Sequence, residues 1–346
     1  MNRLRKKGEG IRQFILENIE AGGQKIVQST MKKFNITRQA VYKHLRNLRE
    51  QGCVIAGEDG LLKLQPQETW NTTLSIAENI HEDVVWRTIA APKIGQLPDN
   101  ALSIWSYGFT EIYNNVVDHS ESSTVWVQVE KTALTTRMII WDHGVGIFNK
   151  IKAALNLLDE RHAVLELAKG KLTTDPTGHT GEGIFFTSRM FDVFSILSGE
   201  VFLSHKYGDD EDWILQNSDY QNGTWITMEI KNNTSRTTKE VFERFTSGDD
   251  IGFTKTVVPV QLAIYGNEQL ISRSQGKRLL ERMDRFKTVI LDFSEIQTIG
   301  QAFADEVFRV FANQHPDIEL VPINANPEVI AMVVKARLQA YSDKHK

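Results

Sequence analysis

Apolar residues recur at helical spacing through the first fifty positions of the chain. Ile11, Phe14, Ile15 and Ile19 fall on one face of a helix that Gly22-Gly23 ends, and 26–34 read as a second helix. Thr37 stands where it can cap a third helix over 38–51. Val41, Leu45 and Leu48 form the inward stripe of that helix, leaving Arg38, Gln39, Tyr42, Lys43 and Arg46 on its outer face. Two short strands, 53–56 and 61–64, flank Glu58-Asp59-Gly60, a hairpin turn signal. Residues 67–100, punctuated by Pro92 and Pro98, read as a linker with a short helix over 74–85. A long amphipathic helix over 101–118 follows, offering Leu102, Trp105, Phe109, Ile112, Tyr113 and Val116 to a core. Alternating or apolar runs at 125–129, 137–141 and 225–230 predict strands. Beyond Ser247-Gly248-Asp249-Asp250, which reads as a hinge, strands at 256–265, 288–293 and 318–322 alternate with helices at 268–284, 301–311 and 328–340. The pattern predicts a multidomain α+β chain divided as 1–66, 67–100, 101–246 and 252–346.

Composition narrows the class. The 346 residues are 41% hydrophobic and 24% charged, which is ordinary globular usage and excludes a disordered or fibrous chain. Cys53 is the single cysteine, so neither an intrachain disulfide nor a cysteine-based zinc site can form. No apolar run approaches the roughly 18 residues of a spanning helix, and the basic start lacks a leader's apolar core. A cytoplasmic protein without membrane contact is the expectation. Charge adds an asymmetry: residues 1–66 hold 13 basic and 6 acidic side chains in a chain of net charge −4. A basic end on an acidic body points to a polyanion partner for that end. Three helices followed by a hairpin, with a tight turn before the third helix, resemble the winged helix-turn-helix DNA-binding family. The resemblance implies that the third helix enters the major groove of DNA, with Arg38, Gln39, Tyr42, Lys43 and Arg46 as the contacting residues.

The long helix carries polar exceptions on its apolar pattern. Glu111 and Asn115 are four apart and share a face, with Asp118 and His119 a turn further on. A carboxylate beside an amide can orient a water while the amide oxygen holds a hard cation such as Mg²⁺. The 137–141 strand delivers Asp142 to a turn in which Gly144 and Gly146 leave room for a flat base, and an Asp there can accept a bond from an amino group. Gly178-His179-Thr180-Gly181-Glu182-Gly183 opens a helical stretch whose backbone amides can face phosphate. Gly223-Thr224 precedes the 225–230 strand, and the threonine hydroxyl can brace the Asp.

Four motifs in this order, over about 101–231, resemble the GHKL superfamily of gyrase-type ATPases, Hsp90, MutL, histidine kinases and anti-sigma serine kinases. The resemblance implies a Bergerat α/β sandwich that binds ATP with Mg²⁺. Glu111 becomes the general base, Asn115 the Mg²⁺ ligand and Asp142 the adenine contact supported by Thr224. Asp118, Gly144, Gly146, Gly178, His179, Gly181 and Gly183 complete the ATP site. The stretch 148–177 becomes an ATP lid with Lys169, Lys171 and Thr173-Thr174 near its end, and Lys171 joins the ATP-binding set. Two departures stand out: His143 follows the Asp, and 153–167 within the lid has a helical pattern. Upstream, His81-Glu82 resembles the phosphoacceptor motif of sensor kinases, but Trp86 stands where that motif has proline, so the pair reads as an exposed helix face.

The last segment has its own signature. Val289-Ile290-Leu291-Asp292-Phe293-Ser294 followed by Ile299-Gly300-Gln301-Ala302-Phe303-Ala304-Asp305-Glu306 resembles STAS domains, in particular a STAS-like family of unknown function fused to such ATPases. STAS antagonists carry a phosphorylatable serine where this chain has Gln301-Ala302, with Ser294 or Thr298 the remaining acceptors nearby. The resemblance therefore implies an interaction or dimerisation module. Together the three parts read as a DNA-binding switch controlled by Mg-ATP; the alternatives are a serine/threonine protein kinase acting on a partner and a nucleotide-insensitive scaffold.

Overall fold

In the computed structural model the described residues are 3–344, apart from 24, 59, 77–80, 173–180, 209–211, 248–251 and 265–267. The N-terminal unit consists of helices α1 (Arg3–Glu20), α2 (Ile26–Phe34) and α3 (Arg38–Glu50), then strands β1 (Val54–Ala56) and β2 (Leu62–Leu64). Thr37 caps α3, its Oγ1 accepting from the Ala40 amide at 3.3 Å. The apolar stripes read from the sequence meet here, with Ile11, Ile15 and Ile19 packed on Val41, Leu45 and Leu48. β1 and β2 pair antiparallel, Val54 opposite Leu64.

The central unit is a five-stranded antiparallel sheet in the order β3-β4-β5-β7-β6. Its outermost strand corrects the linker expectation, because β3 (Glu68–Ser75) pairs along its whole length with β4 (Thr124–Lys131). Thr, Trp and Leu alternate with polar residues through this stretch, which suits a half-buried edge strand rather than a connector or the start of a helix. A short helical run follows: α4 (Glu82–Val85), a widened π turn over Trp86–Ala90 and α5 (Ala91–Ile94). His81 is exposed at the start of α4, in keeping with a surface role. Helix α6 (Asp99–His119) lies across the sheet. Its Trp105, Phe109 and Ile112 share a core with Val125, Val127 and Val129 of β4, Met138 and Ile140 of β5 (Thr135–Asp142), and Ile226 and Met228 of β7 (Asp212–Lys231). On the opposite face Trp126, Trp141 and Trp225 pack on one another with ring centroids 5.4 to 6.3 Å apart. Helices α7 (Ile147–Leu155), α8 (Glu160–Lys169) and α9 (Gly183–Met190) precede β6 (Val193–Lys206), and α10 (Thr238–Arg244) follows β7. The helical pattern at 153–167 is thus two helices, broken at Asn156 in a left-handed conformation with φ 52°.

The C-terminal unit has a three-stranded parallel sheet, order β10-β9-β8. Its elements are β8 (Lys255–Pro259), α11 (Arg273–Leu280), β9 (Thr288–Asp292), α12 (Gln301–Asp305), a π-wound continuation over Glu306–Phe311, α13 (Ala312–Gln314), β10 (Glu319–Ile323) and α14 (Pro327–Lys344). The first strand and helix are shorter than their apolar patterns predict, since Val260–Ala263 turns into a 3₁₀ segment and the helix waits for the Ser272 capping box. Of the expected hinge, 248–250 lie outside the described residues. The segments on either side are joined: the Thr254 and Lys255 amides both donate to the Phe245 carbonyl, at 3.1 and 2.9 Å. Among the described residues no helix is long and apolar enough to cross a membrane.

Both outer units engage the central one. The β4–β5 turn pushes Leu134, 1% exposed, into the core of the N-terminal unit. The ring of Phe253, which leads into β8, packs on Phe185 and Phe186 of α9 at 4.5 and 4.9 Å.

Candidate nucleotide and nucleic-acid sites

A cavity of about 290 Å³ opens between α6, the end of β5, α7 and the start of α9. That is close to the lower limit of the size range of small-molecule sites. Glu111, Asn115, Asp142, Gly146, Gly181, Gly183 and Thr224, widely separated in sequence, all line it. Ile112, Ile140, Ile147, Ile151 and Ile226 supply apolar walls.

Asp142 sits at the inner end, 2% exposed. Register explains the placement: Asp142 is the last residue of β5 and pairs with Thr224 of β7. Its Oδ1 accepts from the Gly144 amide at 2.8 Å, while the Thr224 hydroxyl accepts from the Ile147 amide at 3.0 Å. Burial pushes the Asp142 carboxyl above the usual carboxylate range, and the bonds from Gly144 and Thr224 pull against it. Gly223 is required at this junction. Its φ is 75°, and a Cβ there would collide with the Asp142 carbonyl.

At the other end of the cavity, Glu111 reaches the start of α9. A Cβ on Gly183 would overlap the Glu111 carboxylate, so the glycine makes space for the acid rather than for backbone freedom. The amides at a helix start favour a negative group at that place. Asn115, one turn on, lines the cavity beside it. A lining lysine and a neighbour of Glu111 outside the cavity wall are absent from the sequence reading. Lys150 of α7 lines the cavity and donates to the His119 carbonyl at 2.7 Å and to Glu121 at 3.2 Å. Tyr107 lies one turn before Glu111; burial, then the Glu111 and Glu182 carboxylates, push its phenol up. Its i, i+4 spacing from Glu111 was the available signal.

The remaining expected residues are placed differently. Asp118 is exposed on α6 and is not part of the cavity wall, and Gly144 acts through its bond to Asp142. Lys171 turns away from the cavity: its Nζ donates to the Arg285 carbonyl at 2.9 Å and lies 4.8 Å from the centre of the Phe286 ring. Gly178, His179 and Thr173-Thr174 lie outside the described residues. A group of His162, Glu166 and Glu281 has side-chain atoms within 4.8 Å of one another. Lys169 and Arg282 already neutralise Glu166, so this donor set does not suit a metal.

On α3, Arg38, Gln39, Tyr42, Lys43 and Arg46 are all exposed on the face opposite Val41, Leu45 and Leu48. Arg38 donates to the Tyr42 hydroxyl at 3.2 Å, which braces two of the five against each other. Burial holds the neighbouring His44 below the usual histidine range, and Arg12 and Lys43 add to that effect.

In the C-terminal unit Gln301 and Ala302 open α12 on an exposed surface, and Ser294 donates to Asp292 at 2.8 Å. No curated protein matches the chain. Residues 275–329, from α11 through β9 and β10 into α14, match the family described as a STAS-like domain of unknown function (DUF4325). The chain is thus a mixed α/β protein with several sheets that carries a STAS-like unit behind its five-stranded one.

Proposed function

We propose that this protein is an ATP-responsive DNA-binding regulator, with a GHKL-type central unit and a winged helix at its N-terminal end. The observation that carries the reading is the convergence of Glu111, Asn115, Asp142 and Thr224 on one cavity with apolar walls. Asp142, when ionised, offers only acceptors, so it selects a base with an exocyclic amino group. The amides at the start of α9 suit phosphate, and Asn115 offers an amide oxygen to Mg²⁺. Bound there, Mg²⁺ supplies charge neutralisation at phosphate oxygens. Glu111 is the group positioned to take a proton from an attacking water or hydroxyl. The α3 face supplies cations for DNA phosphates and Gln39 and Tyr42 for base edges.

One strand joins the two sites. β5 begins beside Leu134, which is buried in the N-terminal core, and ends at Asp142 on the cavity floor. A ligand that binds one arrangement of this strand better than another shifts the N-terminal unit by its differential affinity. The test is binding of labelled random duplex DNA at fixed salt without nucleotide, with Mg-ADP and with a non-hydrolysable Mg-ATP analogue. The expected result is an affinity that differs among the three. Equal affinities alongside measurable nucleotide binding would remove the switch. Transfer of the γ-phosphate to a protein rather than to water would instead favour the serine/threonine kinase reading, and a chain that binds no nucleotide would leave the scaffold.

A further inference from the structure

One wall of the cavity is held by the C-terminal unit. Leu167 and Leu172 line the cavity, and between them α8 ends at Lys169, Gly170 and Lys171. Glu166 and Lys169 are 0% and 1% exposed. Lys169 donates to Glu166 and, at 3.0 Å each, to the carbonyls of Arg278 and Glu281 at the end of α11. Arg282 answers from the other side, with one N–H on Glu166 at 2.8 Å and one on the Lys171 carbonyl at 2.6 Å. Arg285 donates to that same carbonyl at 2.8 Å, and Thr256 of β8 donates to the Lys169 carbonyl at 2.7 Å. Lys171 and Arg282, facing each other across this contact, both hold left-handed backbone, with φ of 50° and 63°. That conformation is uncommon for long side chains and persists where the surroundings determine it.

We propose that the STAS-like unit is a built-in regulator of the cavity: it presets the wall formed by Leu167 and Leu172 through the Glu166–Lys169–Arg282 network. The proposal rests on the reading of the cavity as a nucleotide site. Its physical basis is that pulling the STAS-like unit away takes Arg282 from Glu166 and the Arg278 and Glu281 carbonyls from Lys169, so buried charged groups lose partners that must be replaced. The aromatic packing of Phe253 on Phe185 and Phe186 at the same junction lacks that directionality. Because coupling is reciprocal, whatever fixes this wall raises nucleotide affinity, and nucleotide in turn strengthens the docking of the STAS-like unit.

The experiment is the affinity of the full-length chain for a fluorescent ATP analogue with Mg²⁺, in wild type, Arg282→Ala, Arg285→Ala and Arg309→Ala. Arg285 is an exposed partner of the same contact, so its variant keeps the test open if Arg282→Ala fails to fold. Arg309 pairs with Asp305 inside the C-terminal unit, and its variant controls for mere loosening of that unit. Hydrogen exchange of 273–285 with and without nucleotide supplies the reciprocal readout. The expected result is a Kd raised by about fivefold or more in Arg282→Ala, a smaller rise in Arg285→Ala, no change in Arg309→Ala, and nucleotide-dependent protection of 273–285 in wild type. Wild-type binding with an unchanged or lowered Kd in both interface variants overturns the proposal. Absence of wild-type binding overturns the nucleotide reading and the proposal with it.

Discussion

The two junctions of this molecule differ in what they add to apolar packing. At the N-terminal side a turn of the central sheet inserts Leu134 into a core of Ile15, Val41 and Leu45, an apolar plug with no hydrogen bond required of it. At the C-terminal side the packing of Phe253 on Phe185 and Phe186 is joined by a buried charge network, in which Arg282 reaches Glu166 and the Arg278 and Glu281 carbonyls accept from Lys169, the neighbour of Glu166 on α8. Apolar burial is non-directional and scales with area, so it holds units together without prescribing their orientation. Charges taken out of water demand specific partners at specific distances. The second junction therefore carries directional constraints that the first lacks, which suits it to hold a cavity wall in place.

The contrast can be broken most directly at Glu166. Glu166→Ala leaves Lys169 and Arg282 without their counter-charge, and a loss of about 3–5 kcal/mol is expected in denaturant unfolding. A loss under about 1 kcal/mol would mean that water already reaches the network. Leu134→Ala should cost roughly 2–4 kcal/mol by leaving a cavity in the N-terminal core. The accompanying sign is faster proteolysis within 1–66. Asp142→Asn tests the strand between the two sites: it replaces an acceptor-only group, and at least about a tenfold loss of ATP affinity, roughly 1.4 kcal/mol, is expected by calorimetry. Arg38→Ala with Lys43→Ala should weaken DNA binding and lower the slope of log K against log salt by about 0.9 for each phosphate that the variant no longer neutralises.

The smallest effect concerns pH at the charged junction. Burial, ahead of the opposing pull of Glu166, holds His162 below its usual 6.5. The unfolded chain then takes up the proton first as pH falls below 6.5, so this contribution to stability is present above that pH and is lost on acidification. Stability of the wild type should decline more steeply below pH 6.5 than that of His162→Gln. Parallel pH profiles for the two proteins would place the titration elsewhere.

Much of the candidate site was legible because its side chains sit at fixed spacings on regular elements. The shared face of Glu111 and Asn115 on α6, and Asp142 at the end of an apolar strand, follow from period 3.6 and period 2, while their selection as site residues comes from the resemblance of the motif series. Gly183 was legible as a glycine, but its reason was not: it makes space for Glu111, a residue 72 positions earlier in the chain. Lys171 misled, since a lysine near a glycine-rich stretch reads as a phosphate ligand, whereas the fold turns it toward Arg285 and Phe286. β3 was hidden for another reason. An edge strand buries one face only, and Glu68–Ser75 is polar enough to pass for a connector.

By itself the sequence determined the local elements: the stripes of α1, α3 and α6, the central strands, and a basic outer face on α3. These depend on near neighbours and on burial of one side of an element. Only the tertiary structure decided that Leu134 belongs to the N-terminal core and that Glu166, Lys169 and Arg282 form one buried network. Those contacts join residues far apart in the chain, Glu166 and Arg282 lying 116 positions from each other. In the sequence each of these charges is indistinguishable from a solvated one, because what makes it a partner is the removal of water by a unit folded elsewhere in the chain.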